Sequence, residues 1–369
     1  MVDDCSVVIA GGGTGGHLYP GIAVARELRR RLPASRVSFA GTARGLEARV
    51  VPKEGFELDV LRSAGLKGKS IGARLRGAAL VPVGLFDAWR ILSRRRPRVV
   101  IGVGGYSSGP VVLAAALRGI PTMVLEQNAM PGLTNRLLAR VVRAAAVTYE
   151  EALPHFRGRG IVTGNPVRQD FVDAGAAPPD RGAAPPRLLI LGGSQGAHAL
   201  NLAVVAAAPE LVRRHPALDL VHQTGARDVA DVRDAYRRSA IAARVEPFLD
   251  PVAREMSDAD LIVCRAGATT LAELAAAGCA AVLVPFPGAT DDHQRRNAQV
   301  LAGAGAAVLV DERDLTPARL ADVAGTLLDD APRRAAMRAA IRAFARPDAA
   351  ARIVDRALAL AGVGDRRGA

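Results

Sequence analysis

Five glycines and one histidine follow an apolar run near the start of the chain, in the segment IAGGGTGGHLYP at 9–20. Gly11, Gly13 and Gly16 have the spacing G-x-G-x-x-G between a predicted strand and a predicted helix, where backbone N–H groups and a helix N-terminus can hold a phosphate. A dinucleotide site would also carry an acid at the end of the second strand, but no acid occurs there before Glu47. NAD binding is therefore disfavoured, whereas a phosphate cradle and a turn that serves only packing remain alternatives.

Similar glycine loops recur as GVGGYSSG at 102–109 and GGSQGA at 192–197. Each of them lies where a predicted strand gives way to a helix, with hydroxyl groups or backbone N–H groups close by. Three such loops in one chain would suit two phosphorylated ligands, one in each of two domains. Their recurrence favours phosphate binding over packing alone.

A glutamate stands in the segment CRAGATTLAELAAAG at 264–278, within the first two turns of a predicted helix. The carboxylate of this residue, Glu273, can either complement the helix dipole or accept two hydrogen bonds from a ribose diol. The neighbouring Thr269 and Thr270 favour the ribose.

Amide side chains follow another predicted strand, in the segment PFPGATDDHQRRNA at 285–298. Gln294 and Asn297 stand there beside His293. Amide groups suit the hydroxyl and acetamide groups of a neutral sugar, whereas a phosphate would call for arginine. The segment therefore predicts a sugar site.

Short β-rich runs alternate with longer amphipathic segments, which is the pattern of parallel sheets flanked by helices. The predicted strands are 5–10, 36–40, 57–61, 98–103, 122–125, 143–148, 187–191, 218–222, 244–248, 260–264, 280–284 and 306–310. This order predicts an α/β fold with two doubly wound, Rossmann-like domains, each with its ligand edge at the carboxyl ends of its strands.

A proline-rich stretch with little periodicity separates the two sets of strands. We expect a first domain over 1–163, a linker over 164–186 and a second domain over 187–345. The remaining residues, 346–369, are predicted to form a C-terminal helix that returns to the first domain.

The chain of 369 residues has a formal net charge of +13, which favours an anionic partner such as a phosphorylated substrate, an acidic membrane surface or nucleic acid. An arginine-rich surface from a biased genome is the alternative. No apolar run is long enough to span a membrane, no signal-peptide pattern occurs, and the three cysteines form no CxxC pair. We therefore expect a cytoplasmic chain without a disulfide framework, a metal site or a cofactor.

Seven motifs follow one another along the chain: GGTGGHLYPGIAVA, GVGGYSSGP, EQNAMPGLTNR, GNPVR, GGSQGA, CRAGATTLAEL and DDHQRRNA. With these motifs the sequence from 7 to 350 resembles the MurG family of bacterial glycosyltransferases. The resemblance implies the GT-B architecture with an interdomain cleft, in which the first domain binds the acceptor and faces the membrane and the second binds UDP-GlcNAc.

The implied reaction is an inverting, metal-independent transfer of N-acetylglucosamine (GlcNAc) to the muramyl 4-hydroxyl of undecaprenyl-diphospho-muramyl-pentapeptide (lipid I). Its product, lipid II, serves peptidoglycan synthesis. A related transferase with another lipid acceptor, a non-catalytic nucleotide-sugar sensor and an NAD enzyme remain alternatives.

The resemblance also implies roles for individual donor-binding residues. Glu273 would hold the ribose, with Phe248 and Leu249 flanking the uracil. Contacts to the diphosphate, to GlcNAc or elsewhere on the donor are implied for Thr14, Gly15, Gly16, Asn128, Arg168, Ser194, Gln195, Gly196, Ala268, Thr269, Thr270, Gln294 and Asn297. The N–H groups of the loop from Gly193 to Gly196 are expected to stabilise the charge of the leaving diphosphate.

Inversion needs one base that takes the proton from the attacking hydroxyl. His17 stands at a helix N-terminus, which favours the neutral imidazole that a base requires, and Glu126 ends a strand beside two amide side chains. Both remain candidates, with His17 preferred; its alternative role is a helix cap or a contact to the acceptor phosphate. The acceptor is expected to contact Gly13, Thr14, Gly104, Gly105, Tyr106 and Ser107.

The segment 71–98 combines apolar side chains with many arginines. Such an apolar patch rimmed by cations suits an anionic membrane surface, and a helix that packs on the sheet with a basic outer face is the alternative. The predicted membrane patch consists of Leu75, Leu80, Leu85, Phe86 and Trp89. The resemblance implies a peripheral protein on the cytoplasmic face of the cell membrane, with cell-wall synthesis and division proteins as further partners and without nucleic acid.

Overall fold

The computed structural model describes residues 5–63, 71–176, 184–193 and 196–363, and within 71–79 it describes the backbone only. The chain divides into two compact units. The first unit comprises Met1–Val167 and Arg346–Ala369, and the second comprises Arg168–Ala345.

A sheet of seven parallel strands forms the centre of the first unit, in the order β3-β2-β1-β4-β5-β6-β7. Its strands are β1 Ser6–Gly11, β2 Arg36–Gly41, β3 Glu57–Val60, β4 Val99–Gly104, β5 Thr122–Glu126, β6 Ala144–Val147 and β7 Gly160–Val162. The strand order reverses between β1 and β4, as in other doubly wound sheets.

The second unit contains a sheet of six parallel strands, in the order β10-β9-β8-β11-β12-β13. Its strands are β8 Arg187–Leu191, β9 Asp219–Gln223, β10 Arg244–Glu246, β11 Leu261–Cys264, β12 Ala281–Leu283 and β13 Val308–Leu309. Here the order reverses between β8 and β11, so the two units repeat one topology.

Helices connect the strands in both units. In chain order they are α1 Gly15–Arg31, α2 Glu47–Lys53, α3 Ile71–Arg95, α4 Ser108–Leu117, α5 Leu133–Leu138, α6 Gln169–Ala176, α7 His198–Arg214, α8 Val229–Arg238, α9 Val252–Asp258, α10 Ala268–Ala277, α11 His293–Gly303, α12 Pro317–Asp329, α13 Ala331–Arg342 and α14 Ala349–Leu360. Within the ranges described, no helix combines the length and the apolar character needed to cross a membrane.

The strands of the first sheet are buried on both faces, because helices cover each side. In β1, Val7 and Ile9 face a cluster that includes residues of α1 and α14. Val8 and Ala10 face the opposite cluster, which includes residues of α3 and α4. Successive side chains of a strand point to opposite faces, so a continuous apolar run such as SVVIA supplies both cores.

The prediction of two doubly wound α/β domains is confirmed, and every predicted strand is present with ends shifted by a few residues. Two elements were not predicted. The edge strand β7 has only three residues. Part of the predicted linker 164–186 is the helix α6. Its position is stabilised by the fully buried Phe171 and by close packing on α10, where Gly175 allows α6 to approach the backbone of Ala276.

Candidate active site

The first unit brings two glycine loops together where its strand order reverses. One loop follows β1 and the other follows β4, at the carboxyl ends where doubly wound sheets bind ligands. A Cβ atom on Gly105 would lie 2.5 Å from the carbonyl oxygen of Gly12, so the close contact of the two loops requires glycine. Because β1 and β4 are neighbours and parallel, both loops lie at the same edge of the sheet.

His17 occupies the third position of α1 and is half-buried against the second glycine loop. A Cβ atom on Gly104 would lie 2.6 Å from His17 Cδ2 and 3.0 Å from Nε2. On the other side of the ring, Nδ1 lies 3.2 Å from the hydroxyl oxygen of Thr14. If Nδ1–H donates to that oxygen, Nε2 keeps the lone pair that a base needs.

The first loop already holds a carboxylate of the chain itself. Glu47, the first residue of α2, is fully buried, and its Oε2 accepts a hydrogen bond from the Gly13 N–H at 2.8 Å. Burial alone would raise the pKa of Glu47, but the N–H groups of Gly13 and Thr42 hold that pKa below its usual value. The N–H of Gly13, a residue that was expected to contact the acceptor, therefore donates to Glu47 within the chain.

Glu126 ends β5 and is buried with four hydrogen-bond donors around it. Its Oε1 accepts from the backbone N–H and the side-chain amide of Asn128 at 3.0 and 3.1 Å. Its Oε2 accepts from the Gly132 N–H at 3.1 Å and from the Asn135 amide at 2.9 Å. Burial raises the pKa of Glu126, while these donors oppose the rise. A carboxylate has about four acceptor positions, and here three donors come from the loop that follows β5 and one comes from Asn135 of α5.

The other predicted residues of the first unit lie around these loops. Thr14 is exposed and precedes α1, Gly15 and Gly16 form the first turn of that helix, and Asn128 is half-buried. Tyr106 is exposed beside Gly13, whereas Ser107 is buried. The acceptor contacts of Tyr106 and Ser107 stay predictions.

In the second unit, the loops after β8 and β11 occupy the corresponding place at the reversal of strand order. Ser194 and Gln195 lie outside the described residues. The N–H of Gly193 donates to Gln223 Oε1 at 2.9 Å, and the N–H of Gly196 donates to the Gly193 carbonyl at 3.0 Å. The loop thus uses these two N–H groups internally, and diphosphate binding by the N–H groups of the loop from Gly193 to Gly196 stays a prediction.

Gln223, at the end of β9, is a residue that the sequence analysis missed. Its buried side-chain amide accepts from the Gly193 N–H and donates to the Gly193 carbonyl at 3.1 Å and to the Pro247 carbonyl at 2.9 Å. These bonds tie the glycine loop to the segment that carries Phe248. In the sequence, the only signal for Gln223 is its position at the end of a strand, between a histidine and a threonine.

A buried polar network fixes the N-terminus of α7, and it was not predicted either. The Asn201 amide donates to Asp228 Oδ2 at 2.8 Å, so its carbonyl oxygen faces His222 Nε2 at 3.1 Å. His222 Nε2 therefore carries the proton, and its Nδ1 accepts from the Tyr236 hydroxyl at 2.9 Å. Burial lowers the pKa of His222 to about 3. The exposed His198 completes the network with Nδ1 at 3.1 Å from Asp228.

Glu273 lies in the second turn of α10, with Arg168 beside it. The nearest guanidinium nitrogen of Arg168 is 4.0 Å from Glu273 Oε1, and the guanidinium also lies over the Phe171 ring. Burial raises the pKa of Glu273 to about 7, and the positive charge of Arg168 opposes the rise. Thr269 and Thr270 are half-buried in the first turn of the same helix.

The remaining predicted donor residues lie at the carboxyl edge of the second sheet. Phe248, which follows β10, is 57% exposed, and Leu249 is half-buried. Gln294 Oε1 accepts from the Phe286 N–H at 2.9 Å. Asn297 of α11 and Ala268 of α10 are buried. Exposed Phe248 suits a base platform, whereas Gln294 and Asn297 are already held by the fold.

The loop before α11 has unusual backbone geometry. Asp291 and Asp292 have φ angles of 57° and 55°, which L-residues rarely adopt. Such strain persists where the surrounding structure imposes it, and it is common at ligand sites. Among the described residues, no group of three or more His, Cys, Asp or Glu side chains is placed to hold a metal ion.

The predicted membrane patch is partly exposed. Phe86 and Trp89 of α3 are 59% and 49% exposed, whereas Leu80 is half-buried and Leu85 packs against the core. The side chain of Leu75 lies outside the described residues. Leu85 is half-buried on the side of α3 that packs against the core cluster of the sheet, so its place in the membrane patch stays a prediction.

Two family models match the chain. The glycosyltransferase family 28 N-terminal domain matches residues 7–147, and the glycosyltransferase family 28 C-terminal domain matches residues 187–353. Together they cover most of both units.

Curated relatives and solved structures agree with these matches. A protein of Anaeromyxobacter sp. (strain K), named UDP-N-acetylglucosamine--N-acetylmuramyl-(pentapeptide) pyrophosphoryl-undecaprenol N-acetylglucosamine transferase, is 49% identical over 350 residues, or 95% of this chain and 91% of the relative. A relative of the same name from Myxococcus xanthus (strain DK1622) is 44% identical over 353 residues, or 95% of this chain and 91% of the relative.

The crystal structure of Acinetobacter baumannii MurG superposes with a TM-score of 0.79 at 32% identity and covers 96% of this chain and 99% of that chain. The calicheamicin glycosyltransferase CalG4, at 17% identity and a TM-score of 0.70 with full coverage of both chains, shares the fold. The resemblance inferred from the seven motifs is thus confirmed, and the chain belongs to the MurG family within glycosyltransferase family 28.

Proposed function

We propose that this chain transfers GlcNAc from UDP-GlcNAc to the 4-hydroxyl of the muramyl sugar of lipid I, giving lipid II. The main support is the 49% identity over 350 residues to a relative whose name states this class of reaction. The site geometry agrees with it, because each unit offers a ligand edge at the carboxyl ends of its sheet.

The reaction breaks the bond between C1 of GlcNAc and the β-phosphate oxygen of UDP, and UDP leaves with the electron pair. The muramyl O4 attacks C1 from the opposite face, so the configuration inverts, and its proton passes to a base on the enzyme. We assign this base to His17 Nε2, with Nδ1–H donating to Thr14 Oγ1 at 3.2 Å.

The surroundings of Glu126 support this choice. A base must direct a lone pair at the hydroxyl that it deprotonates. Four internal donors surround the Glu126 carboxylate, so its role in this proposal is to hold the loop that contains Asn128. His17 is half-buried at the loop where the acceptor is expected.

In the second unit, Glu273 accepts hydrogen bonds from the ribose diol and the exposed Phe248 ring packs on the uracil. The charge of the leaving diphosphate is stabilised by the N-terminus of α7 and by Arg168, since the N–H groups of Gly193 and Gly196 are already used. Gln294 contacts the sugar with its side-chain NH₂ group, since its Oε1 already accepts from the Phe286 N–H, and the sugar contact of the buried Asn297 stays a prediction.

The test of the reaction is transfer of radiolabel from UDP-GlcNAc to a lipid acceptor. We expect label in a product made from lipid I and none in one made from diacylglycerol, which separates this reaction from that of a glycolipid synthase. A nucleotide-sugar sensor would bind UDP without turnover, and an NAD enzyme would show a thermal shift with NAD. Label on diacylglycerol alone would contradict the proposal.

The raised pKa of Glu273 predicts how donor binding depends on pH. The ionised carboxylate is the acceptor for the ribose hydroxyls, and with a pKa of about 7 most of it is protonated at pH 6 and ionised at pH 8. We therefore expect UDP-GlcNAc to bind about tenfold more weakly at pH 6 than at pH 8. Isothermal titration at both pH values measures this, and Glu273→Gln should remove the difference. An equally steep profile in Glu273→Gln would assign the titration to another group.

We further propose that the first unit binds an anionic membrane surface through α3. Phe86 and Trp89 are exposed on this helix. The Arg90 guanidinium lies 5.9 Å from the Phe86 ring centre, and that of Arg118 lies 4.9 Å from the Trp89 ring centre. Aromatic side chains flanked by arginines suit the headgroup region of an anionic bilayer. On this proposal the protein works on the cytoplasmic face of the cell membrane, where its lipid acceptor lies.

The double substitution Phe86→Ser and Trp89→Ser is expected to lower the affinity for phosphatidylglycerol vesicles by about tenfold or more. The reason is that the two aromatic side chains, which would bury apolar surface in the bilayer, are removed. Sedimentation with the vesicles measures it, and high salt should release the unchanged protein. Leu202→Ser, at an exposed leucine of the second unit, is the matched control. Equal binding to neutral and anionic vesicles would contradict the proposal.

A further inference from the structure

Glu47 bridges two loops at the carboxyl edge of the first sheet. Its Oε2 accepts from the Gly13 N–H at 2.8 Å in the loop after β1. Its Oε1 accepts from the N–H of Thr42 at 2.9 Å and from the Thr42 hydroxyl at 2.8 Å, in the loop after β2. One fully buried carboxylate therefore connects two segments that are far apart in sequence.

The loop after β1 is shaped to receive this carboxylate. A Cβ atom on Gly12 would lie 2.5 Å from the Glu47 carboxyl carbon, so any other residue there would displace one of the two groups. Gly13 has a φ of +89°, a conformation that glycine adopts without strain. The carboxylate thus accepts a backbone N–H group of a glycine-rich loop, the kind of donor that binds anions in such motifs.

Gly13 is linked directly to the residues that face the acceptor in the proposed function. Thr14 follows it, and the carbonyl of Thr14 accepts from the backbone N–H groups of His17 at 3.3 Å and Leu18 at 3.1 Å. The Thr14 hydroxyl lies 3.2 Å from His17 Nδ1. On the other side of the loop, the Gly12 carbonyl packs on Gly105. A shift of Gly13 would therefore move Thr14 and the imidazole of His17.

We propose that Glu47 is a positioning residue for the transfer reaction: it holds the loop 12–14 through the Gly13 N–H and so sets the orientation of His17 toward the acceptor. This inference rests on the proposed function. The alternative is a purely local role, in which the carboxylate stabilises the N-terminus of α2 and its bond to Gly13 has no effect on the reaction.

Two substitutions separate these roles. In Glu47→Gln one acceptor oxygen becomes an NH₂ group. The amide oxygen will face the two donors of Thr42, so the NH₂ group meets the Gly13 N–H and the loop is released. In Thr42→Val the hydroxyl bond is lost, but the Glu47 bond to Gly13 remains. Both remove a buried hydrogen bond beside α2, and only the first frees Gly13.

We expect Glu47→Gln to lower kcat for the lipid acceptor by about tenfold or more, as for a misplaced catalytic group, with the Kd of UDP-GlcNAc unchanged. Thr42→Val should keep kcat within about twofold of the unchanged protein. Glu47→Asp keeps the charge, but its side chain is one methylene shorter and cannot bridge both loops, so it should show the same loss of kcat. This variant replaces Glu47→Gln in the test if Glu47→Gln does not fold.

Hydrogen exchange of the Gly13 amide gives a readout that does not depend on activity. Exchange should accelerate by about tenfold or more in Glu47→Gln and Glu47→Asp, because the protecting bond is lost, and stay slow in Thr42→Val. Equal kcat values and equal exchange in all variants would overturn the proposal. If the unchanged protein transferred no GlcNAc, the proposed function would fail, while the exchange data would still show whether Glu47 holds the loop.

Discussion

Replacing His17 with alanine is expected to lower the turnover number with the lipid acceptor by about 10²-fold or more, the usual loss when a general base is removed. The Kd of UDP should change little, because Glu273 and Phe248, the proposed donor contacts, belong to the second unit. Single-turnover transfer from radiolabelled UDP-GlcNAc and isothermal titration with UDP measure the two quantities.

The controls separate the loss of a base from the loss of a packed ring. His17 packs against Gly104, so His17→Gln, which keeps most of the volume without the base, should be as inactive as His17→Ala. His155→Ala, at a half-buried histidine of the first unit, should remain active. If Glu126→Gln abolished turnover while His17→Ala did not, the base would be Glu126.

Glu273→Ala is expected to weaken UDP-GlcNAc binding by about 10- to 100-fold, because hydrogen bonds to a charged acceptor contribute roughly 1.5–3 kcal/mol. The preference for UDP over 2′-deoxy-UDP should shrink as well, since the lost contact is to the hydroxyl that the analogue lacks. The KM for the lipid acceptor should barely move. Glu210→Ala, at an exposed glutamate of α7, is the matched control.

Thermal unfolding distinguishes ribose binding by Glu273 from a role in which its carboxylate only stabilises the helix dipole of α10. The pKa of Glu273 is about 7 in the folded protein and close to 4.5 in an unfolded chain, so its ionisation opposes folding above pH 7. The free-energy cost of ionising the buried carboxyl decreases as the pH falls below 7. Glu273→Gln should therefore raise Tm at pH 8 more than at pH 5.5. A sharp fall in Tm at pH 8 with normal UDP binding would show that the carboxylate serves the helix.

The parts of the fold that local patterns specify could be predicted from the sequence. Continuous apolar runs followed by glycine loops marked the central strands, because strands buried on both faces are apolar throughout and their ends need tight turns. The strand β7 was missed because three half-buried residues carry no periodicity. The helix α6 was missed because its stability comes from Phe171 and from packing on α10, and its own residues lie in a proline-rich context.

The site could be predicted where a functional residue stands beside a recognisable motif. His17 follows a glycine loop and Glu273 lies in the second turn of a helix that follows a strand, so their positions follow from the chain itself. Glu47 and Gln223 act by reaching into a neighbouring loop. Their partners are set by strand order and turn geometry, which no local pattern encodes. For the same reason the sequence did not show that Leu85 packs against the core cluster of the first sheet.

The first unit is assembled from two separate parts of the chain. Ile353, Val354 and Ala357 of α14 are buried in the same cluster as Val7 and Ile9 of β1. During synthesis, the ribosome must complete the second unit before these three side chains emerge. The part of this face that α14 covers therefore stays exposed while residues 168–345 are made, and the unit that is translated first becomes complete last.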